Sequence, residues 1–218
     1  LLILPFKILK KFQFSILLFD LYPETLVASN LFSNTNPIIR LYKWLNTIVY
    51  KEATNIITIG QCMYEKTKSY LNDSSTNLHY IPIWADNILI QSQDQQINFK
   101  KKWNLTDKFI VGYSGNIARF HPIETFLEAA RHCNDPDIMF VFVGDGAKKN
   151  MAINYAKKYN LKNCAFYNYV RREHLPDLLR SFDCGLVGLN AKNTGLSVPS
   201  KTLGLISAGI PVVAACES

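Results

Sequence analysis

Cations and prolines in the second half of this sequence lie at spacings that suit the binding of a phosphorylated ligand. Arg119 and His121 lie three positions and one position before Pro122, and Lys201 follows Val198-Pro199-Ser200. Proline is favoured in the first turn of a helix, so each segment is expected to begin one. The free N–H groups and positive dipole end of a helix N-terminus attract phosphate. Two such helix starts, each with a cation, predict a site for a diphosphate.

Glycines stand in the loops expected beside these cations. Gly115-Asn116 follow one apolar run and Gly144-Asp145-Gly146 the next. The loop after a third run contains Tyr169-Val170-Arg171 and no glycine. Glycine lets the backbone approach a ligand closely. Two plainer interpretations stay open, since Gly-Asp-Gly is common as a simple turn and His121 could only cap a helix. The sequence contains no G-x-G-x-x-G and no G-x-x-x-x-G-K-[ST], so the fingerprints of dinucleotide and P-loop sites are missing.

These loops separate apolar runs that alternate with helical patterns. Strands are predicted at residues 14–19, 55–59, 78–81, 109–113, 138–143, 165–167, 184–189 and 211–215. Helices are predicted at residues 37–52, 61–71, 122–133, 147–159, 173–182 and 199–208. Buried strands that alternate with helices favour parallel sheets with right-handed crossovers. The polar, glutamine-rich segment 85–98 reads as a linker. The pattern therefore predicts an α/β fold of two doubly wound, Rossmann-like lobes, each with a parallel sheet.

Composition and charge narrow the class of protein. With 48% hydrophobic and 19% charged residues, the 218-residue chain has a globular composition, which excludes disordered and fibrous classes. The formal net charge of +7 favours anionic partners. No RNA- or DNA-binding motif accompanies the basic residues, so no nucleic acid partner is expected. Five widely spaced cysteines without a C-x-x-C pair argue against disulfides or a zinc site, and we expect no metal and a cytoplasmic location.

The first twelve residues, LLILPFKILKKF, combine apolar side chains with three lysines. The run is too short to span a bilayer, which takes about 18 apolar residues, and its flanks do not fit a signal peptide. Two interpretations stay open: peripheral contact with the inner face of a membrane, and an ordinary surface helix.

The ordered set of motifs makes the sequence recognisable. The second half resembles the nucleotide-sugar-binding half of family 4 glycosyltransferases, which have the two-lobed GT-B fold, in residues 113–130, 140–146, 174–189 and 195–217. In the first half, FDLYPE at residues 19–24 and YIPIWAD at residues 80–86 resemble segments of a subgroup that makes bacterial surface polysaccharides. Colanic acid and O-antigen enzymes belong to that subgroup.

The resemblance implies a function. We expect a retaining enzyme that moves a sugar from a nucleoside diphosphate sugar, a UDP-sugar, to a glycan or lipid-linked acceptor in polysaccharide biosynthesis. The donor would be the only small molecule required, with no cofactor. The alternatives are an enzyme similar to UDP-N-acetylhexosamine epimerases and a non-catalytic protein that binds sugar nucleotides or nucleic acid.

The resemblance also assigns roles to residues. Lys201 would hold the distal phosphate, backed by the segment Ser197-Val198-Pro199-Ser200, while Arg119, His121 and the amides of Gly115-Asn116 would contact its other side. The segments 144–146 and 169–171 would border the base and ribose. Asp20 and Glu24 would orient the acceptor or the donor sugar, with helix capping as the other interpretation.

One departure from the family pattern concerns a pair of glutamates separated by seven residues. The two positions are occupied here by Leu196 and Gly204, as in the V-P-S-K subgroup. Glu217 is the remaining candidate for the ribose, because a carboxylate can accept from two vicinal hydroxyls.

The resemblance finally suggests that both lobes are incomplete. Residues 1–90 are expected to be the C-terminal part of the acceptor lobe. Residues 91–218 are expected to be the N-terminal part of the nucleotide-sugar-binding lobe.

Overall fold

The computed structural model describes residues 12–72, 74–85 and 97–216, and the chain forms two compact units. The first unit comprises residues up to Ile83 together with Ala191–Val198, and the second comprises Trp84–Asn190 and Pro199–Ser218. The predictions made for residues 1–11, 86–96 and Glu217 lie outside the described residues.

The first unit is built on a parallel sheet of three strands in the order β1-β2-β3. The strands are β1 (Ser15–Leu18), β2 (Asn55–Thr58) and β3 (Asn77–Tyr80). Among the described residues of this unit, the helices are α1 (Glu24–Ala28), α2 (Pro37–Glu52) and α3 (Gln61–Lys68). Ile56 at the centre of β2 is fully buried.

The long helix α2 begins where the sequence supplies two start signals. Pro37 occupies the first helical position, and the side chain of Asn36 accepts a hydrogen bond of 2.9 Å from the backbone N–H of Ile38. Ile39, Val49 and Tyr50 are buried, and Val49 and Tyr50 pack in the core of the first unit.

The second unit contains a parallel sheet of five strands in the order β6-β5-β4-β7-β8. The strands are β4 (Phe109–Ser114), β5 (Ile138–Val143), β6 (Cys164–Tyr167), β7 (Cys184–Leu189) and β8 (Val212–Cys216). The helices are α4 (Phe99–Lys102), α5 (Ile123–His132), α6 (Lys149–Lys158), α7 (Leu175–Arg180) and α8 (Lys201–Ser207). Two short 3-10 turns, Arg172–His174 and Ala191–Asn193, complete the described elements.

The strand order of the second sheet fixes where a ligand would bind. Chain order runs outward from β4 through β5 to β6 and then returns to β7 on the other side of β4. The crevice at the carboxyl ends of β4 and β7 is therefore the topological switch point, where open α/β sheets bind their ligands.

The predicted parallel α/β architecture is confirmed, with differences at the ends of elements. The strands lie within one or two residues of their predicted bounds. Helix α3 ends at Lys68, where the pattern predicted residue 71, and the predicted helix 173–182 consists of a 3-10 turn followed by α7. Helices α1 and α4 were not predicted. No helix in the described ranges combines the length and apolar character needed to cross a membrane.

The segment Ala191–Val198 lies in the first unit, although the sequence analysis placed it in the second lobe. Leu196 is buried in the core of the first unit, and the N–H of Leu21 donates a 2.7 Å hydrogen bond to the carbonyl of Leu196. These contacts explain the grouping, because they attach a distant part of the chain to β1 and α1.

Candidate functional site

Two loops of the second unit meet at the switch point between β4 and β7. The backbone N–H of Asn190, directly after β7, donates to the carbonyl of Phe120 at 3.1 Å. The side-chain amide of Asn190 donates to the carbonyl of Arg119 at 3.4 Å. The loop that follows β4 is thus tied to the end of β7, which gives the crevice a defined wall.

Lys201, the first residue of α8, points its ammonium group into the loop that follows β4. Its Nζ donates to the hydroxyl of Tyr113 and, at 3.2 Å, to the carbonyl of Asn116. The same Nζ lies 4.0 Å from the centre of the Tyr113 ring, within cation–π distance. The predicted proximity of Lys201 to the segment 115–116 is therefore present in the structure.

The environment of Lys201 leaves its charge without a neutralising partner. Within the described part of the chain, no carboxylate lies at ion-pair distance from its Nζ, and its hydrogen-bond partners are neutral oxygens. Burial lowers the pKa of Lys201 to about 7, because removal from water disfavours the ammonium form. A bound anion would reverse this penalty, so the site is suited to a ligand that carries negative charge.

His121 is held in a neutral form beside this lysine. Its Nδ1 lies 2.8 Å from the Tyr113 hydroxyl and 2.8 Å from the carbonyl of Asn116. Burial, followed by the charge of Lys201, lowers the pKa of His121 to about 4. The carbonyl can accept a hydrogen bond only if Nδ1 carries the proton, whereas the hydroxyl of Tyr113 can also donate a hydrogen bond to an unprotonated Nδ1. His121 Nε2 makes no hydrogen bond within the described residues, so it is available to a ligand hydroxyl.

The predicted glycines lie where the loops approach one another most closely. Gly115 has φ +122°, and a Cβ there would lie 2.7 Å from Cε of Lys201. Gly144 has φ +148°, and its Cβ would lie 2.0 Å from the carbonyl oxygen of Gly115. A Cβ at Gly146 would lie 2.4 Å from the side-chain oxygen of Asn116. Larger residues would push these backbone segments apart, so the glycines shape the crevice beside Lys201.

Other predicted residues line the outside of the crevice or lie elsewhere in the second unit. Asp145 is exposed, and its carbonyl accepts from the hydroxyl of Tyr169 at 3.3 Å. Arg119 is exposed and forms no ion pair with the described residues. Val170 packs against the core around Leu178, and Arg171 lies 3.5 Å from Glu173 in an exposed ion pair.

The segment that precedes Lys201 divides between the two units. Ser197 and Val198 belong to the first unit, and Pro199 and Ser200 to the second. The Pro199 carbonyl accepts the N–H of Thr202 at 3.0 Å, while the Ser200 side chain makes no capping hydrogen bond.

The two acidic candidates lie in the first unit. Asp20 forms an isolated antiparallel bridge with Ser197, and burial raises its pKa. Glu24 is the first residue of α1, where it accepts from the hydroxyl of Tyr70 and lies 3.7 Å from Nζ of Lys43. A role for either carboxylate in orienting a sugar stays a prediction.

Tyr113 is the residue that the sequence analysis missed. It is fully buried at the end of β4, and its hydroxyl joins Lys201, His121 and Asn116 O, the last at 2.6 Å. Burial raises its pKa, so the hydroxyl stays protonated. The sequence feature that could have identified Tyr113 is its position at the end of a predicted strand, directly before Ser114-Gly115. The sequence analysis treated it as an apolar residue of that strand.

The described residues contain no group of three or more His, Cys, Asp or Glu side chains that could hold a metal ion. The expectation that the protein uses no metal stays a prediction.

Comparison with known proteins is consistent with this geometry. Two curated bacterial proteins align with most of the chain. The Pseudomonas aeruginosa protein WbjE, described as a glycosyltransferase, is 29% identical over 94% of this chain and 52% of its own length. The Escherichia coli K12 protein WcaI, described as a colanic acid biosynthesis glycosyl transferase, is 28% identical over 75% of this chain and 41% of its own length. The chain thus spans about half the length of these relatives.

Solved structures support the fold. HepE of Anabaena, in complex with UDP and glucose, matches with a TM-score of 0.74 and 16% identity, over 95% of this chain and 54% of its own. The sucrose-phosphate synthase of Thermosynechococcus elongatus matches with a TM-score of 0.69 and 16% identity, over 96% and 52%. Both likenesses identify the two-lobed GT-B architecture, of which this chain covers a part.

The second unit carries the family signature. Residues 94–216, more than half of the chain, match the family described as glycosyl transferases group 1. That range contains β4 to β8 and the loops around Lys201. The chain belongs to the glycosyl transferases group 1.

Proposed function

We propose that the second unit binds the diphosphate of a UDP-sugar and that the protein transfers the sugar to a glycan or lipid-linked acceptor with retention of anomeric configuration. The observation that carries the proposal is the ammonium group of the half-buried Lys201, whose hydrogen-bond partners at the switch point of the sheet are neutral. The relatives support the class of reaction, since WbjE and WcaI are described as glycosyltransferases and HepE was solved with UDP and glucose.

The proposed chemistry needs stabilisation of the departing diphosphate. When the bond between the anomeric carbon and the phosphate oxygen breaks, negative charge develops on the leaving group. Lys201 offers a positive charge in a partly dehydrated position, where electrostatic interactions are stronger than in water. The N–H of Asn116 makes no hydrogen bond within the described residues and is available to the same phosphates. The acceptor oxygen forms a bond to the anomeric carbon as the diphosphate leaves, and the proton of the acceptor hydroxyl passes to the departing diphosphate.

The three neighbours of Lys201 have distinct supporting roles in this proposal. Tyr113 places the ammonium group through its hydroxyl and its ring. His121, neutral at physiological pH, can hydrogen-bond a sugar hydroxyl through Nε2 without adding a charge. Asp145 and Tyr169, on the exposed side, border the nucleoside.

The first test is calorimetric titration of the full chain with UDP. The variant Lys201→Met should bind UDP roughly 10- to 100-fold more weakly, because a hydrogen bond to a charged group contributes about 1.5–3 kcal/mol. Tyr113→Phe, which keeps the ring and removes the hydroxyl, should weaken binding less. Lys162→Met, at an exposed position of the same unit, should bind like the parent chain. Unchanged affinity in Lys201→Met would contradict the proposed site.

The second test distinguishes transfer from the alternatives. The protein is incubated with a panel of nucleotide sugars and candidate acceptors, and free nucleoside diphosphate is measured. Transfer releases UDP with a glycosylated product, whose anomeric proton coupling in NMR reports retention or inversion. An epimerase leaves a sugar nucleotide of altered configuration, and a binding protein releases nothing.

A further inference from the structure

A second pocket lies within the first unit, between α1, α2, α3 and the segment 191–198. Its volume is about 550 Å³, within the range of roughly 300–1,000 Å³ that is usual for small-molecule sites. The buried side chains of Leu21 and Leu196 form part of its wall. All of its lining residues belong to the first unit.

Polar side chains around this pocket are held in place by one another. Lys43 Nζ donates to the side-chain oxygen of Asn34 at 2.8 Å, and Lys192 Nζ donates to that of Asn30 at 3.3 Å. The hydroxyl of Tyr70 donates to Glu24. These bonds join residues from four different segments, so contacts within the protein hold the polar side chains of the pocket in place.

The pocket carries an excess of positive charge. Lys43, Lys66 and Lys192 line it, against the single carboxylate of Glu24. That carboxylate is engaged by Tyr70 and lies 3.7 Å from Lys43. In the part of the chain that the structure describes, the ammonium group of Lys192 has a neutral amide as its only partner, and that of Lys66 has no partner. Two cations are therefore left to attract an anion.

A glycine allows the two unneutralised lysines to reach the same pocket. Gly195 has φ +73°, and a Cβ there would lie 2.9 Å from Cβ of Cys62 and 3.0 Å from Cε of Lys66. The backbone of the segment 191–198 thus passes directly over α3. This close approach lets Lys192 line the same pocket as Lys66, although 126 positions separate them in the sequence.

We propose that this pocket binds a sugar that carries a phosphate or carboxylate group. Lysine ammonium groups suit either anion, and the Asn30 and Asn34 amides with the hydroxyl of Ser69 suit the ring hydroxyls. The apolar wall at Leu21 and Leu196 suits the less polar face of a sugar ring. The inference does not depend on the function proposed for Lys201.

Titration of the full chain with glucose 6-phosphate, glucuronate and glucose tests the proposal. Both anionic sugars should bind more tightly than glucose, and their affinity should fall with rising ionic strength. Lys66→Met and Lys192→Met should each weaken the binding of the anionic sugars roughly tenfold, as expected for loss of one charged hydrogen bond. The matched control is Lys68→Met, an exposed lysine on the same helix α3, which should bind like the parent.

A further control separates this pocket from the site at Lys201. Lys201→Met should leave the binding of glucose 6-phosphate and glucuronate unchanged, whether or not UDP binds. The proposal is overturned if neither anionic sugar binds more tightly than glucose, if Lys68→Met loses as much affinity as Lys66→Met, or if Lys201→Met alone removes the binding.

Discussion

The chemistry of Lys201 depends on how its charge is balanced. The side chain is half-buried, yet its contacts are a phenol hydroxyl, a carbonyl and an aromatic face, none of which carries a full negative charge. A resting ion pair would have to be broken before a phosphate could bind. Because no such ion pair is present among the described residues, Lys201 can bind an anionic ligand directly. The same lack of a neutralising charge accompanies its lowered pKa.

This balance predicts a pH dependence of UDP binding. Because the pKa of Lys201 is lowered to about 7, the free protein loses the ammonium form as the pH rises from 7 to 9. Only the charged form attracts the diphosphate, so affinity should fall by up to about tenfold per pH unit above 7. Calorimetric titrations at several pH values between 7 and 9 measure the effect. This range lies above the pKa near 6 of the terminal phosphate, so ionisation of the ligand contributes little to the change.

A Lys201→Arg variant is the control for this dependence. A guanidinium stays protonated throughout the range, so any affinity that the variant keeps should be independent of pH between 7 and 9. Equal pH dependence in both proteins would mean that a group other than Lys201 titrates.

Site residues were predictable to the extent that they lie in loops with distinctive sequence. Lys201, His121 and the glycines 115, 144 and 146 were identified from their order along the chain, and the structure brings them together. Tyr113 was missed because an aromatic residue in an apolar run gives no sign of where its hydroxyl points. Leu196, where the family pattern has a glutamate, is buried in the first unit, and sequence alone does not reveal that environment.

At the scale of elements, the second sheet depends on close packing between β4 and the loop that follows α7. Gly112 lies in the middle of β4, and the ring of Phe182 occupies the space that a side chain would fill. A Cβ at Gly112 would lie 2.2 Å from Cγ of Phe182. Phe182 itself is buried in the core on that face of the sheet.

Gly112→Ala should therefore destabilise the protein by about 1–3 kcal/mol, because the ring or the strand must move. Urea unfolding followed by circular dichroism measures the change. The double variant Gly112→Ala/Phe182→Leu should be less destabilised than the sum of its single variants, since a smaller side chain relieves the overlap. Additive effects would show that the two positions do not compete for the same space.

The elements themselves were predictable in proportion to their length and periodicity. The predicted bounds are correct for strands β5 and β7, which are continuous apolar runs. They are also correct for helix α2, which has Asn36 and Pro37 at its start. Helix α1 was missed because it is five residues long and lacks a capping side chain. Helix α4 consists of Phe99 and three lysines, a composition that also suits a loop, and only the cap from Asn98 marks it.

At the scale of the whole molecule, the first unit is formed by two stretches that are far apart in the sequence. Residues 191–198 leave the second unit after β7, contribute to the first unit, and return before α8. Composition gave no indication of this, because Leu196 and Val198 would fit either core. The position follows from packing, namely the burial of Leu196 and its hydrogen bond with Leu21.

This arrangement predicts that Leu196→Ala weakens the first unit, although its neighbours in sequence belong to the second. Replacement of a buried leucine by alanine typically costs about 2–5 kcal/mol. In hydrogen exchange followed by mass spectrometry, amides of β2 in the first unit should lose protection, whereas those of β4 should not. The matched control is Leu205→Ala, buried in the second unit, which should reduce protection in β4 instead. If Leu196→Ala lowered protection mainly in β4, the segment 191–198 would have to be assigned to the second unit, and Lys192 could not line the pocket of the first.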